Sequence, residues 1–450
     1  MKSGWSLDWK ACVIVLAGFL LRVYFSAVVG MTPEDSQMLA LAKSLSWDPR
    51  QPILYGGPIL VPVVPYLLKL ADSLGGDQLL FLRIPWIAAG TLTLWVLYRL
   101  VQQALGRPQA LIALFLLAVD QFHVTWTRVF DWYVPAFACE ALTLWALWKG
   151  LTTPRHQVRW FLLVGLLLGI GYYVKQSLLL VAAGVGLYLL IFWLKGLGKV
   201  SAAALMAGAA AWGILLLPAG LWEAHHPTEN LVVFLRITAL ERWSHVNLSP
   251  LGLYLGELFE RLRPAGVEDY RQWHAYPVHW VAGAFYLAGV IWALFKRRRH
   301  PFIALMLSLF STVSLFFLFI DDGPWMNLGH FYWPSFGLIP AIVLAADLLW
   351  TAFERSRGTR LLAGGLCAYL ALHIVVSNPR GGWNYPVRPA QEWVTLFVED
   401  GLEAMAQQRY SDAYGEFLWA SALDPKNAAL KEWIAQSHSL AHHQKIGRLR

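Results

Sequence analysis

Apolar runs of about 20 residues, separated by short polar gaps, recur along most of this chain. ACVIVLAGFLLRVYFSAVVG (11–30) and PFIALMLSLFSTVSLFFLFI (301–320) are each long enough to cross a hydrocarbon core as a helix. The pattern predicts spans near 11–30, 80–99, 109–126, 133–148, 160–174, 178–194, 201–221, 278–295, 301–320, 333–352 and 361–376. Two long segments, 31–79 and 222–277, separate groups of spans, and the polar tail from 377 contains none. The predicted fold is an all-α polytopic membrane protein with about eleven transmembrane helices. Its membrane domain covers 1–376, with amphipathic helices in the long loops, and a small helical unit fills 377–450.

Composition supports the membrane assignment: 57% of residues are hydrophobic, only 14% are charged, and the mean hydropathy is +0.48. Charge adds a direction. Basic residues gather in alternate gaps: Arg99 and Arg107; Lys149, Arg155 and Arg159; Lys195 and Lys199; Lys296 to Arg299; Arg355, Arg357 and Arg360. The positive-inside rule makes these gaps and the N-terminus cytoplasmic, and both long loops and the tail extracytoplasmic. The expected location is the cytoplasmic (inner) membrane, with membrane lipids as the surrounding partners. The net charge of +8 is then topological, and no nucleic-acid partner is expected. The 24 tryptophans suit interfacial belts. Cys12, Cys139 and Cys367 fall inside spans, which argues against a disulfide framework. The first apolar run is long for a cleavable signal and reads as a retained anchor.

The segment MTPEDSQMLALAKSL (31–45) sets two acids just after the first span. Thr32 suits an N-cap, Pro33 the first helical position, and Asp35 the third, where a carboxylate can turn back to the cap. At 100° per residue, Glu34 lies within about 40° of Met38, Leu41 and Leu45 on one face. That places Glu34 toward the protein, where a carboxylate is costly unless paired or used. Lys175 interrupts apolar sequence either as a snorkelling lysine or as a binding group. Arg128 and Asp131 form either a local ion pair or part of a site. Glu140 and Asp347 lie near span interiors. Asp321-Asp322 suits a hard divalent cation or a solvated turn. His225-His226 diverges by about 100° on a helix, unlike converging zinc ligands. Asn247-Leu248-Ser249 matches a glycosylation acceptor to which no function attaches.

These landmarks resemble the GT-C membrane glycosyltransferases, and most closely the branch of protein O-mannosyltransferases and lipid A aminoarabinose transferases. Pro33-Glu34-Asp35, followed by Ala42-Lys43, is similar to that family's P-D-E-x-x-Y-x-x-x-A-[KR]. Here the acids are exchanged and Met38 replaces the tyrosine. GGPILVPVVPYLLKLADSLGGDQLLFLRIP (56–85), VTWTRVFDWYVPAF (124–137), GIGYYVKQ (169–176) and GHFYWPSFGLIPAIVLAADLL (329–349) resemble later family segments in the same order. The resemblance implies transfer of a sugar from a polyprenyl-phosphate donor to an extracytoplasmic lipid, glycan or protein acceptor, with inversion. It implies Glu34 or Asp35 as the catalytic acid, and Arg83, Arg128, Asp131, Lys175, His330 and Tyr332 as substrate-binding residues. No cofactor is required by that chemistry, and a divalent metal stays open. A transporter or flippase is the main alternative, although no internal repeat of the kind transporters carry is evident. The other is an inactive scaffold. In the tail, Gly401, Ala413, Phe417, Ala420 and Pro425 fall at tetratricopeptide-repeat offsets near 394–427. One repeat cannot bury its own face, so it packs on a following helix or the membrane domain, or docks a protein partner.

Overall fold

The structure, a computed structural model, describes residues 8–28, 33–45, 63–75, 78–194, 200–225, 280–296, 300–319, 327–377, 390–424 and 426–448. Among these residues it is helical throughout, with no strand. The first helices are α1 (Trp9–Val28), α2 (Pro33–Ser44), α3 (Val63–Gly75), α4 (Leu79–Leu82), α5 (Ile84–Ala104) and α6 (Arg107–Ala118). They lead into α7 (Gln121–Trp126), α8 (Tyr133–Thr152), α9 (Gln157–Val174), α10 (Leu179–Leu194) and α11 (Ala202–His225). After the long loop come α12 (Trp280–Lys296), α13 (Pro301–Phe319), α14 (Asn327–Arg355) and α15 (Arg357–Ser377). The tail forms α16 (Ala390–Ala406), α17 (Tyr410–Leu423) and α18 (Ala428–Arg448).

Among the described residues, Ile84–Ala104, Pro154–Val174, Ala202–Leu221 and Gly337–Arg355 are long and apolar enough to cross a membrane, and four shorter apolar helices accompany them. Ile214, Leu361 and Leu362 stand 70%, 71% and 76% exposed, apolar surface that suits lipid better than water. The chain is thus a multi-pass membrane protein. One predicted span needs correction. The run 109–126 is two helices, α6 and α7, because Asp120 is extended and its carboxylate accepts the His123 backbone N–H at 2.9 Å. An N-cap of this kind starts a new helix rather than continuing the old one.

In lipid, apolar side chains gain little by meeting each other, so helices associate through close fit and small residues. α9 and α11 cross where Gly165 meets Gly208; a Cβ on Gly165 would lie 2.1 Å from the Gly208 carbonyl oxygen. α5 packs on α6 and α8, and α14 packs on α6, α12 and α13. Outside the spans, α2 packs on α3 and buries Met38, Leu39 and Ala42. The tail helices share a separate core of Trp393, Phe397, Phe417 and Leu430, with α18 on α17. α17 also packs against α2, so the tail reaches the helix that carries the acid pair.

Candidate functional site

The acid pair opens α2, and the two neighbouring carboxylates were expected to divide their roles: Asp35 at the cap, Glu34 inward. The structure gives Asp35 a tertiary role. Asp35 is fully buried, and its Oδ1 accepts the Phe130 backbone N–H at 2.5 Å, from the loop between α7 and α8. Its Oδ2 lies 3.5 Å from Arg83 Nη2, and both side chains have no exposure. The carboxylate therefore makes tertiary contacts from the first turn of its helix. The backbone of Glu34 lies in α2, but its side chain is outside the described residues. So are Thr32 and the side chains of His330 and Tyr332, the latter two on α14. Asp321, Asp322, His226 and Asn247 to Ser249 are also outside the described residues.

Five of the predicted residues come together. Arg83, at the turn between α4 and α5, donates from Nη1 to the Ser26 carbonyl oxygen of α1 at 2.8 Å. Its guanidinium also lies over the Phe130 ring, 5.8 Å from the centroid. Arg128 is 2% exposed and stands in the field of both Arg83 and Asp35. Burial, with Arg83 nearby, pulls its guanidinium down to about 10. Asp131 accepts the Trp132 backbone N–H, and its own carbonyl oxygen accepts from Trp86 Nε1 at 2.7 Å. Lys175 follows α9 and is 7% exposed, with Nζ 3.6 Å from the Tyr133 ring centroid and 5.2 Å from that of Trp132. A lysine so enclosed by aromatic faces is not snorkelling to water. Burial pushes the Asp131 carboxyl up to about 6 and the Lys175 ammonium down to about 8, each partly offset by the other's charge.

A second cluster, which sequence reasoning missed, supports this loop from behind. Arg22, in α1, is fully buried and donates to the Gly18, Ala118 and Leu117 carbonyl oxygens at 2.9, 3.3 and 3.3 Å. Two of those acceptors, Leu117 and Ala118, are carbonyls in the last turn of α6. Arg22 Nη2 also donates to His123 Nδ1 at 2.7 Å. An arginine can only donate, so this histidine carries its proton on Nε2. Asp120 completes the cluster, accepting the Tyr286 hydroxyl of α12 at 2.9 Å. α1, α6, α7 and α12 are thereby tied together just before Arg128 and Phe130. A charge inside the first apolar run was the available signal for Arg22. Among the described residues, no group of three or more His, Cys, Asp or Glu side chains converges as a metal site would.

Arg83, Arg128 and Lys175 thus gather around the Asp35 and Asp131 carboxylates in a helical membrane protein. Residues 57–222, a little over a third of the chain, match the family model described as dolichyl-phosphate-mannose-protein mannosyltransferase. ArnT from Cupriavidus metallidurans, solved bound to undecaprenyl phosphate, is similar over 100% of this chain and 79% of its own, at 15% identity and a TM-score of 0.59. The archaeal oligosaccharyltransferase AglB from Archaeoglobus fulgidus, solved with an inhibitory peptide and a dolichol-phosphate, is similar over 93% of this chain, at 14% identity and a TM-score of 0.57. This chain spans 64% of the length of that oligosaccharyltransferase. A comparison with curated proteins finds no match. The fold is that of the GT-C membrane glycosyltransferases.

Proposed function

We propose that this protein is an integral membrane glycosyltransferase that moves a sugar from a polyprenyl-phosphate donor to an extracytoplasmic lipid, glycan or protein acceptor, with inversion. The observation that carries this reading is the buried Asp35 carboxylate set among Arg83, Arg128 and, across the same loop, the Asp131–Lys175 pair. Asp35 is the base. Its Oδ1 is fixed by Phe130, while the 3.5 Å contact of Oδ2 with Arg83 is long enough for an acceptor hydroxyl or amine to displace. As that nucleophile attacks the anomeric carbon, the bond from sugar to phosphate breaks and the acceptor's proton passes to Asp35. Arg83, Arg128 and Lys175 answer the charge that develops on the phosphate, in a site where water is excluded and each interaction counts for more. Asp131 holds Lys175, and a single displacement inverts the sugar carbon. Undecaprenyl phosphate, the lipid with which ArnT was solved, carries the phosphate chemistry these cations suit.

The basic gaps orient the protein with its N-terminus in the cytoplasm and the site outside, in the cytoplasmic membrane. The membrane domain of 1–376 carries the chemistry. The tail of 377–450 braces α2 through α17 and is a candidate acceptor- or partner-docking unit. The test is transfer in nanodiscs loaded with polyprenyl-phosphate sugars and scored by mass spectrometry of the acceptor pool. Asp35→Asn should lower transfer by about a thousandfold, within the range that loss of a general base and its charge produces. Full activity in that variant would remove Asp35 from the role, and loss in Glu34→Gln instead would move the role one residue back.

A further inference from the structure

The end of the bundle remote from Asp35 has a cleft of its own. α1 is 20 residues long, about 30 Å by helix geometry. Ser26, near its end, meets Arg83 in the acid-bearing pocket, whereas Asp8, just before its start, meets Arg107 at the far side. There a cavity of about 370 Å³ opens between the start of α1, the start of α6 and the last turns of α14. Two cations, Lys10 and Arg107, stand on its polar side, and Leu111, Ile112, Trp350 and Phe353 form its apolar wall.

The charges there are not balanced. Asp8 receives Arg107 Nε and Nη2 at 2.6 and 2.9 Å, the Tyr98 hydroxyl at 2.7 Å and the Lys10 backbone N–H at 3.1 Å. Those donors, the Arg107 guanidinium first, hold its carboxyl far below the usual carboxylate range, so it stays ionised. One acid thus offsets one of two cations. Among the described residues the ammonium of Lys10 has no carboxylate partner, and it stands 5.7 Å from the Trp9 ring centroid. The cleft therefore offers one positive charge in excess beside an apolar, aromatic wall at a membrane surface. A phosphodiester with acyl chains has the complementary features: one negative charge, and hydrocarbon on one side only.

We propose that this cleft seats a monoanionic phospholipid, its phosphate against Lys10 and Arg107 and its glycerol and upper acyl chains against Leu111, Ile112, Trp350 and Phe353. Basic pockets between helices at a membrane surface recognise anionic head groups through this combination. The site is separate from the donor pocket, and the proposal does not depend on the reaction assigned to that pocket.

Native mass spectrometry of the full chain released from nanodiscs of equal phosphatidylglycerol and phosphatidylcholine tests this. One phosphatidylglycerol should be retained over phosphatidylcholine by about tenfold, the scale set by one or two basic side chains near a surface. Lys10→Glu reverses the charge at an exposed position, and Ile112→Trp fills the cleft without touching a charge. Each should reduce the preference to about twofold or less, since each removes one half of the recognition. A melting temperature close to that of the unsubstituted chain checks that Lys10→Glu still folds. Equal retention of both lipids would overturn the proposal, as would a preference untouched by either variant. Displacement of the lipid by excess inorganic phosphate would overturn the lipid as occupant in favour of a soluble phosphate ester.

Discussion

Each end of the helical bundle buries an aspartate against a cation, and the two pairs are built differently. At the remote end, Lys296 Nζ donates to both Asp347 oxygens at 2.8 and 2.9 Å, and Trp292 Nε1 adds a third donor at 3.3 Å. Lys296 keeps 32% of its side chain exposed, so its charge remains partly solvated. At the other end, Asp35 and Arg83 have no exposure and meet at only 3.5 Å, with Arg128 close enough to oppose Arg83. The first pair is complete in itself. The second is enclosed and crowded, and burying its charges is expensive. Short distance and solvent access mark a pair that holds helices together; the looser, enclosed pair is the one proposed above for the reaction.

Breaking the two pairs in parallel gives the largest expected contrast. Asp35→Asn should remove transfer by about a thousandfold. Asp347→Asn should leave transfer per folded molecule within about twofold and lower stability by about 1–3 kcal/mol, the range for losing a charged hydrogen bond. Turnover of detergent-purified protein and its thermal unfolding midpoint separate the outcomes. Equal loss of turnover in both variants would erase the distinction between the ends.

A smaller effect is expected from the cluster behind the site. Tyr286→Phe removes one hydroxyl and leaves Asp120 still capping α7, so the helix itself persists. What it loosens is the anchor between α12 and the start of the loop that carries Arg128 and Phe130. A displacement of that loop should lower kcat by about tenfold, equivalent to ~1.4 kcal/mol of barrier. KM for the donor should stay nearly constant, because Arg83 and Lys175 reach the site from other elements. A change in stability with kcat unchanged would make Tyr286 a packing residue only.

The sequence made the membrane class legible because twenty-residue apolar runs have few other uses, and the gathering of Arg83, Arg128, Asp131 and Lys175 was legible because charged residues beside apolar runs need a reason to be there. The direction of Asp35 was not. On a helical wheel two consecutive acids differ by about 100°, and the burial of the second depends on where α1 and the loop after α7 arrive. Those are tertiary facts that a local pattern does not carry. The break at Asp120 was missed for a related reason: hydropathy averages over a window, and a single capping aspartate barely lowers the mean. His123 and Tyr286 gave no sequence signal, since a histidine and a tyrosine within apolar sequence are ordinary interfacial residues.

The finest test of the site's character is its pH profile. Burial raises Asp131 to about 6 and lowers Lys175 to about 8, so both are charged only between those values. Transfer that needs the charged pair should rise through the lower limit, fall through the upper one, and peak near neutrality. Stability should run the opposite way. Asp131 holds its proton more tightly folded than unfolded, so stability falls as pH climbs from its ordinary 3.8 to about 6. Lys175 holds its proton less tightly folded, so stability recovers from about 8 up to its ordinary 10.5. The pair is thus least favourable to the fold in the pH window where the proposed reaction would use it. Lys175→Arg sharpens this, because a guanidinium ordinarily titrates above about 12 and stays charged across the assay. The variant should lose the alkaline limb and keep the acid limb. An alkaline limb that survives the substitution would assign it to another group and leave Lys175 a structural cation over Tyr133.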